Sequence, residues 1–279
     1  MDSLRLSSQL TCNCQLVVLD STTSTNDEII TQARRLKDHG YSTQDVKISP
    51  LVVISRSQTA GRGRLGRHWE SPAGGLYLSV LLWMEAYPHA SLSLLVAMAV
   101  RDALQCFQTG EVRLKWPNDV LSSAGKLVGI LVEVKQASRF FSDSSDANAE
   151  DTSDTGQFAV VGIGINVNRP ENGALDTAAY LDDDPGFCVQ LEDLGAAVID
   201  HLLSHYASWQ ADGCSFEGKV ADYTAHMAQI NERVCVKDAL GNEIAAGTVQ
   251  GVDEQGRLLL LGASGIIAVA AGEVTLRNP

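Results

Sequence analysis

The apolar positions along the chain change their period several times, and each change marks an element. Gln15–Asp20 (QLVVLD) is a short apolar run of strand character, preceded by fourteen polar and irregular residues. Ile29, Ile30, Ala33 and Leu36 then recur at helical spacing behind a Ser/Thr cluster. Thr25 and Glu28 stand at capping-box spacing there and predict the helix start. Leu51–Ser55 and Leu76–Met84 read as strands, separated by a loop over Gly61–Gly75. Leu92–Phe107 is apolar on nearly every side (Leu94, Leu95, Ala97, Met98, Val100, Ala103, Leu104), which predicts a core helix. Val112–Trp116, Asp119–Leu121, Lys126–Lys135 and Phe158–Val167 follow as short strands with turn residues between them, the pattern of an antiparallel or mixed sheet. Leu194, Val198, Leu202, Tyr206 and Trp209 line one face of a last long helix over Leu191–Trp209. From Glu232 the chain turns to short strands punctuated by Gly turns, which predicts a small β-barrel of about fifty residues.

The Ser-, Asp- and Ala-rich stretch Gln136–Gly156 interrupts the run of strands with Asp143, Asp146, Glu150, Asp151 and Asp154. It has too little apolar surface to pack. An exposed hairpin loop accommodates it, since loop closure costs only about 0.6 kcal/mol per doubling of length. The longest apolar runs fall short of a membrane span, and the first twenty residues lack the apolar core of a secretory signal. Six cysteines scattered over 279 residues form no disulfide-dense pattern, so a reducing cytoplasm is the expected setting.

Charge narrows the function. With 21 Lys and Arg against 34 Asp and Glu, the net charge of −13 repels a nucleic-acid backbone, so no nucleic-acid partner is expected, and no membrane either. Yet Val46–Trp69 holds no acidic residue while it holds Lys47, Arg56, Arg62, Arg64 and Arg67. Arginine concentrated on one glycine-rich segment of an acidic protein points to a small anionic ligand.

Gly61, Gly63 and Gly66 satisfy G-x-G-x-x-G, but a dinucleotide fingerprint opens a helix, and here the next element is a strand. A phosphate-covering flap is the alternative, without the H-R-D and D-F-G strings of a kinase; a solvated surface loop is the bland one. In Lys115-Trp116-Pro117-Asn118-Asp119, Pro117 stops a strand and sets Asn118 and Asp119 at a turn, which on its own is as readily structural as functional. Lys126 opens the strand LVGILVEV, where it is either a strand-edge charge or a ligand contact. Gly129, Gly162 and Gly164 sit inside neighbouring strands, as expected where a ligand lies across the sheet. His201 and His205 are four apart but lack the H-E-x-x-H glutamate, so a solvent-facing pair is expected and no metal site. Cys12 and Cys14 lack partner pairs, and no G-x-S-x-G or P-loop string occurs. What is left is electrostatic catalysis by Arg and Lys on an anionic substrate.

Ser24-Thr25-Asn26, Gln58-x-Ala-Gly-Arg-Gly-Arg-x-Gly-Arg-x-Trp69, Lys115-Trp116-Pro117-Asn118-Asp119-Val120, Lys126-Leu-Val-Gly-Ile-Leu131 and Gly162-Ile-Gly-Ile-Asn166, in this order, resemble the biotin protein ligase family over roughly residues 15–279. The resemblance implies an α+β fold: a class II aminoacyl-tRNA-synthetase-like catalytic domain with a mixed, mostly antiparallel sheet over residues 1–228, and an SH3-like C-terminal barrel over 229–279. It implies ATP-dependent joining of biotin, through biotinyl-AMP, to a lysine of a biotin carboxyl carrier protein of acetyl-CoA carboxylase or another biotin-dependent carboxylase, with Mg2+ accompanying ATP. By the match, Arg62, Arg64, Arg67, Asp119 and Lys126 are catalytic: Lys126 beside the carboxylate and α-phosphate, Arg62 and Arg64 on the adenylate, Arg67 on the ATP phosphates, Asp119 toward the incoming amine. Ser24, Thr25, Asn26, Gln58, Gly61, Gly129 and Gly164 map to the biotin pocket, and Lys115, Asn118, Asn166 and Trp69 to the nucleotide. Some family members carry an N-terminal helix-turn-helix and act as repressors; that role is not expected here. Tyr180 lies in the segment where the family's adenylate-covering loop falls. A lipoate or octanoate ligase or transferase of the same fold is the alternative.

Overall fold

The computed structural model describes all residues except 85–90, 108–109, 138–155, 172–177, 185 and 277–279. Most of the acidic stretch at 136–156 therefore lies outside the described residues, as does part of the segment before Tyr180. The chain divides into two compact units: Met1–Pro88 with Ile130–Ala174 and Cys188–Asp200, and His89–Gly129 with Leu175–Phe187 and His201–Pro279.

In the first unit, β1 (Gln15–Leu19) runs parallel to β2 (Leu51–Ser55), β2 is antiparallel to β3 (Leu76–Met84), and β3 is antiparallel to β7 (Gln157–Ile165). The order continues β1-β2-β3-β7-β6, where β6 spans Gly125–Gln136 and enters this unit at Ile130. The sheet is thus mixed and mostly antiparallel, as expected. Every residue of β2 and β3 is buried, so these strands read as continuous apolar runs, the mark of a sheet covered on both faces. On one face α2 (Thr25–Lys37) and α3 (Thr43–Ile48) supply Ile29, Ala33 and Val46 to a core with Leu51, Val53, Leu81, Trp83, Phe158 and Val160. Trp83 and Phe158 meet there edge to face at 5.2 Å. On the other face Gly195, on α5 (Leu191–Ala211), brings its backbone so close that an added Cβ would lie 3.0 Å from Ile54 and 3.4 Å from Leu6.

Two local expectations are corrected. Residues 1–14 are not wholly irregular: Ser3–Gln9 forms α1, capped by the Asp2 carboxylate, which accepts from the backbone N–H groups of Leu4 and Arg5. Arg5 then pairs with Asp193 at 2.8 Å and buried Leu6 seats the turn, contacts too distant in sequence to show as periodicity. At the start of α2 the cap residue is Ser24, and no side-chain capping bond forms. The Thr25 hydroxyl is engaged elsewhere, accepting from Ser79 and bonding Gln58.

The second unit holds α4 (Ser91–Gln105), β4 (Arg113–Lys115), β5 (Asp119–Ser122) and the first residues of β6, paired antiparallel. It also holds α6 (Val220–Ala225) and a C-terminal antiparallel sheet in the order β11-β10-β9-β8-β12, from β8 (Arg233–Lys237), β9 (Glu243–Val252), β10 (Leu258–Gly262), β11 (Gly265–Val269) and β12 (Glu273–Leu276). This is the small all-β module expected from Glu232 onward. The Trp116 indole N–H donates to the Gly256 carbonyl at 2.9 Å, tying the turn after β4 to this module. Gly256 has φ +75, and a Cβ there would sit 2.7 Å from the Ser91 nitrogen, so both conformation and space demand glycine. Among the described residues no helix is long and apolar enough to cross a membrane.

Arg101 is the buried charge of α4, bonded to Asp102 and, in a fork, to Asp222. Burial alone would raise the Asp102 carboxyl, but hydrogen bonds from His205 and Arg101 outweigh it and hold the group below the usual carboxylate range. A folded-state depression stabilises the fold above the unfolded pKa and is lost as pH falls through the folded one. Arg101→Met should therefore cost about 2–4 kcal/mol at neutral pH by urea unfolding, with the gap to wild type narrowing in acid. A cost below about 0.5 kcal/mol at neutral pH would show that the ion pairs add nothing.

Candidate functional site

The expected site residues fall in both units. In the first, the start of α2 places Ser24, Thr25 and Asn26 in the interior, all almost wholly buried. Buried polar groups need partners. The Gln58 carbonyl oxygen accepts from the Thr25 backbone N–H at 2.8 Å and from its hydroxyl at 3.2 Å, while the Gln58 amide donates to Ser71 at 2.9 Å. Ser79, from the middle of β3, donates its hydroxyl toward Thr25 and, at 2.6 Å, toward Asn26 Oδ1. The Asn26 amide donates to Glu133 Oε2 at 2.8 Å.

The same carboxylate oxygen receives Arg62 Nη2 at 2.8 Å, and Asp27 accepts from that nitrogen at the same distance. Sequence alone leaves the counter-charge of the arginine loop to a ligand; for Arg62 the protein supplies two carboxylates of its own. The loop is a compact hairpin, closed by Trp69 N–H to the Gly61 carbonyl at 2.9 Å and Gly63 N–H to the Arg67 carbonyl at 2.7 Å. A 3-10 turn over Arg64–Gly66 forms its tip, with Leu65 left-handed at φ 58 and half exposed. Arg64 is partly covered and Arg67 is exposed.

The in-strand glycines do admit close approaches, but here by side chains of the protein. A Cβ at Gly162 would lie 2.3 Å from Asn26 Oδ1, and one at Gly164 2.4 Å from the Trp69 indole nitrogen. Gly61 is confined in the same way, by the Trp69 carbonyl and Ser71. Asn166, just past β7, is buried.

In the second unit, β4 ends at Lys115 and β5 opens at Asp119, which pair in register, so Asp119 begins a strand rather than sitting in the turn. Trp116 is buried, and the Trp116–Pro117 peptide is cis. Asp119 lies opposite Gly129. Its carboxylate, largely buried, meets Lys126 Nζ at 2.7 Å and Lys115 Nζ at 4.0 Å. Lys126 is therefore more than a strand-edge charge. Burial pushes the neighbouring Tyr223 hydroxyl up, and the Asp119 charge adds to the rise. The Lys126 carbonyl accepts from Ala179 N–H at 2.9 Å, which fixes the segment carrying Tyr180 along β6.

The histidine pair is corrected: His201 and His205 do not simply face solvent. His205 Nε2 lies 3.0 Å from Asp102 Oδ2, and His201 Nε2 lies 3.5 Å from Cys106 Sγ. Helical spacing shows which residues share a face but not what packs against it. Asp27, Ser71, Ser79 and Glu133 were also missed; Glu133, the single acidic residue of β6, is the one whose sequence position could have flagged it.

Residues 18–143 match the Biotin/lipoate A/B protein ligase family, and residues 230–277 the Biotin protein ligase C terminal domain. The biotin--[acetyl-CoA-carboxylase] ligase of Paracoccus denitrificans is 31% identical over 268 residues, covering 92% of this chain and 98% of the relative. The chain belongs to the biotin protein ligase family. The enzyme of the same name from Mycobacterium tuberculosis is 32% identical, with 93% of this chain and 88% of the relative covered. The biotin protein ligase from Aquifex aeolicus, solved in complex with biotin and ATP, matches at a TM-score of 0.73 and 28% identity over 95% of this chain and 99% of that one. For a biotin protein ligase the glycine-arginine string is no dinucleotide fingerprint, and in this chain it runs from β2 to β3 without opening a long helix. In the ligase fold the polar network and the glycine floor depend on each other. Asn26 is held by both Ser79 and Glu133 and cannot withdraw cheaply from a new methyl group. Gly162→Ala should therefore cost about 1–3 kcal/mol in chemical unfolding. Gly218→Ala, where a Cβ meets nothing within 4 Å, should stay within about 0.5 kcal/mol of wild type; equal effects at the two positions would refute the packing argument.

Proposed function

We propose that the chain joins biotin to ATP, releases pyrophosphate, and passes the biotinyl group from biotinyl-AMP to a lysine of a biotin carboxyl carrier protein, that of acetyl-CoA carboxylase or a related carboxylase. The observation that carries the chemistry is the Lys126–Asp119 pair at 2.7 Å. In the first half-reaction a biotin carboxylate oxygen attacks the α-phosphorus and pyrophosphate leaves with its Mg2+. Two anions approach only where cations neutralise them, and Lys126 is the cation we assign to that step. In the second, the carrier amine attacks the acyl carbon, AMP leaves, and the proton of the amine needs an acceptor; Asp119 has the carboxylate for it. A lysine held by a carboxylate offers both charges without side-chain rearrangement.

In the same reading we assign Arg62, Arg64 and Arg67 to the phosphates and adenylate, with Lys115, Asn118, Asn166 and Trp69 serving the nucleotide. Ser24, Thr25, Asn26, Gln58, Gly61, Gly129 and Gly164 form the biotin pocket in this reading. Its support is the dense set of amide and hydroxyl groups around Gln58, suited to a ureido ring. We keep residues 1–228 as the catalytic division and 229–279 as the C-terminal one, in line with the family match at 230–277. We also place the chain in a reducing cytoplasm, with its six cysteines outside any disulfide.

Pyrophosphate release with biotin, ATP and Mg2+ tests the reading. Lys126→Ala should retain its circular-dichroism spectrum but lose adenylation by a factor of roughly 100 to 1,000; undiminished release would remove Lys126 from its role. Substrate choice is a separate test. A pocket built to pair a polar ring leaves groups unsatisfied around an apolar one, so lipoate should be disfavoured by about 10⁴ in kcat/KM. Comparable turnover of the two acids would reassign the chain to the lipoate branch.

A further inference from the structure

Asp102 and Cys106 are four apart across the end of α4, and His201 and His205 are four apart on α5, so each pair projects from one side of its element. All four lie in the second unit. The donor atoms of Asp102, His201 and His205 lie within 4.8 Å of one another. The Cys106 thiol, turned back over the Asp102 carbonyl, closes the fourth side against His201. Ligands about 2.0–2.3 Å from a tetrahedral centre stand roughly 3.3–3.7 Å apart. The observed edges, 3.0 Å for Asp102–His205 and 3.5 Å for Cys106–His201, are close to that figure.

We propose that Asp102, Cys106, His201 and His205 form a structural site for a divalent transition-metal ion of the zinc class, clipping the end of α4 to α5. One oxygen of Asp102 is held by Arg101 while the other faces His205, the outer support that ligating carboxylates need. His205 Nε2, which faces Asp102, is the ring nitrogen placed to bind the ion. Two imidazoles, a thiolate and a carboxylate suit zinc or cobalt and not magnesium or calcium. Cys106 binds as the thiolate and releases its proton to solvent. With four protein ligands the site is closed and has no open position for chemistry.

The test uses the full chain, stripped with a chelator and titrated with Zn2+ against a chromophoric competitor, and with Co2+ for spectroscopy. One ion per chain is expected, with a thiolate-to-cobalt absorption that disappears in Cys106→Ser and zinc affinity at least about tenfold weaker in that variant. The double variant His201→Ala, His205→Ala should bind no ion at this affinity. A hundredfold excess over Kd should raise Tm by roughly 5 °C or more in wild type and leave the double variant unmoved. Cys106 is exposed, so its serine variant reports on binding even where the double variant is destabilised. Absence of a stoichiometric ion in wild type, or unchanged affinity in both variants, would overturn the site.

Discussion

One carboxylate oxygen, Oε2 of Glu133, binds the two halves of the first unit's chemistry together. It accepts from Asn26 at the head of α2 and from Arg62 in the glycine loop, each at 2.8 Å. A partly buried carboxylate is tolerated only where donors replace its water. Bonds to a charged group contribute about 1.5–3 kcal/mol each. Asn26 in turn fixes Ser79 in the floor of β3 and forbids a side chain at Gly162. The glycine at 162, the placing of Asn26 at the head of α2 and the posture of Arg62 in the loop thus follow from one anion's need for partners.

Such a network explains why parts of the fold were legible in the sequence and others were not. β2, β3 and β7 could be read because a sheet covered on both faces needs unbroken apolar runs, and those end sharply at polar or glycine residues. The apolar stripe of α5 was legible for the same reason: Leu194, Val198, Leu202, Tyr206 and Trp209 all lie buried. α1 and α3 were not, since each buries a single residue, Leu6 or Val46, and one residue makes no period. The capping box at Thr25 failed because Ser24 takes the cap position and Thr25 is already the first helical residue. The arginine loop and the Lys115–Asp119 turn stood out through residue types rare in combination. Their carboxylate partners did not, because an isolated acid on a strand reads as a solvated edge until the neighbouring element is known.

The cations differ in how firmly the fold encloses them. Arg101 is almost fully enclosed, and its guanidinium is divided between Asp102 and Asp222. Withdrawing it would leave carboxylates that the fold has partly desolvated, so it cannot serve a ligand. Arg62 is also paired twice, but its side chain is 40% exposed and the Asp27 carboxylate 53%. The exposed Arg62–Asp27 pair is worth about 0–1 kcal/mol and is given up at little cost, whereas the more enclosed Glu133 holds Arg62 more firmly.

That contrast accounts for an acidic protein that handles anionic substrates. Asp27 and Glu133 hold Arg62 in one orientation, and in the proposed reaction that orientation lowers the entropy lost on binding a phosphate. The same logic applies to Lys126, partly exposed yet oriented by the more enclosed Asp119. Arg62 is thus set in place by Asp27 and Glu133, and Lys126 by Asp119.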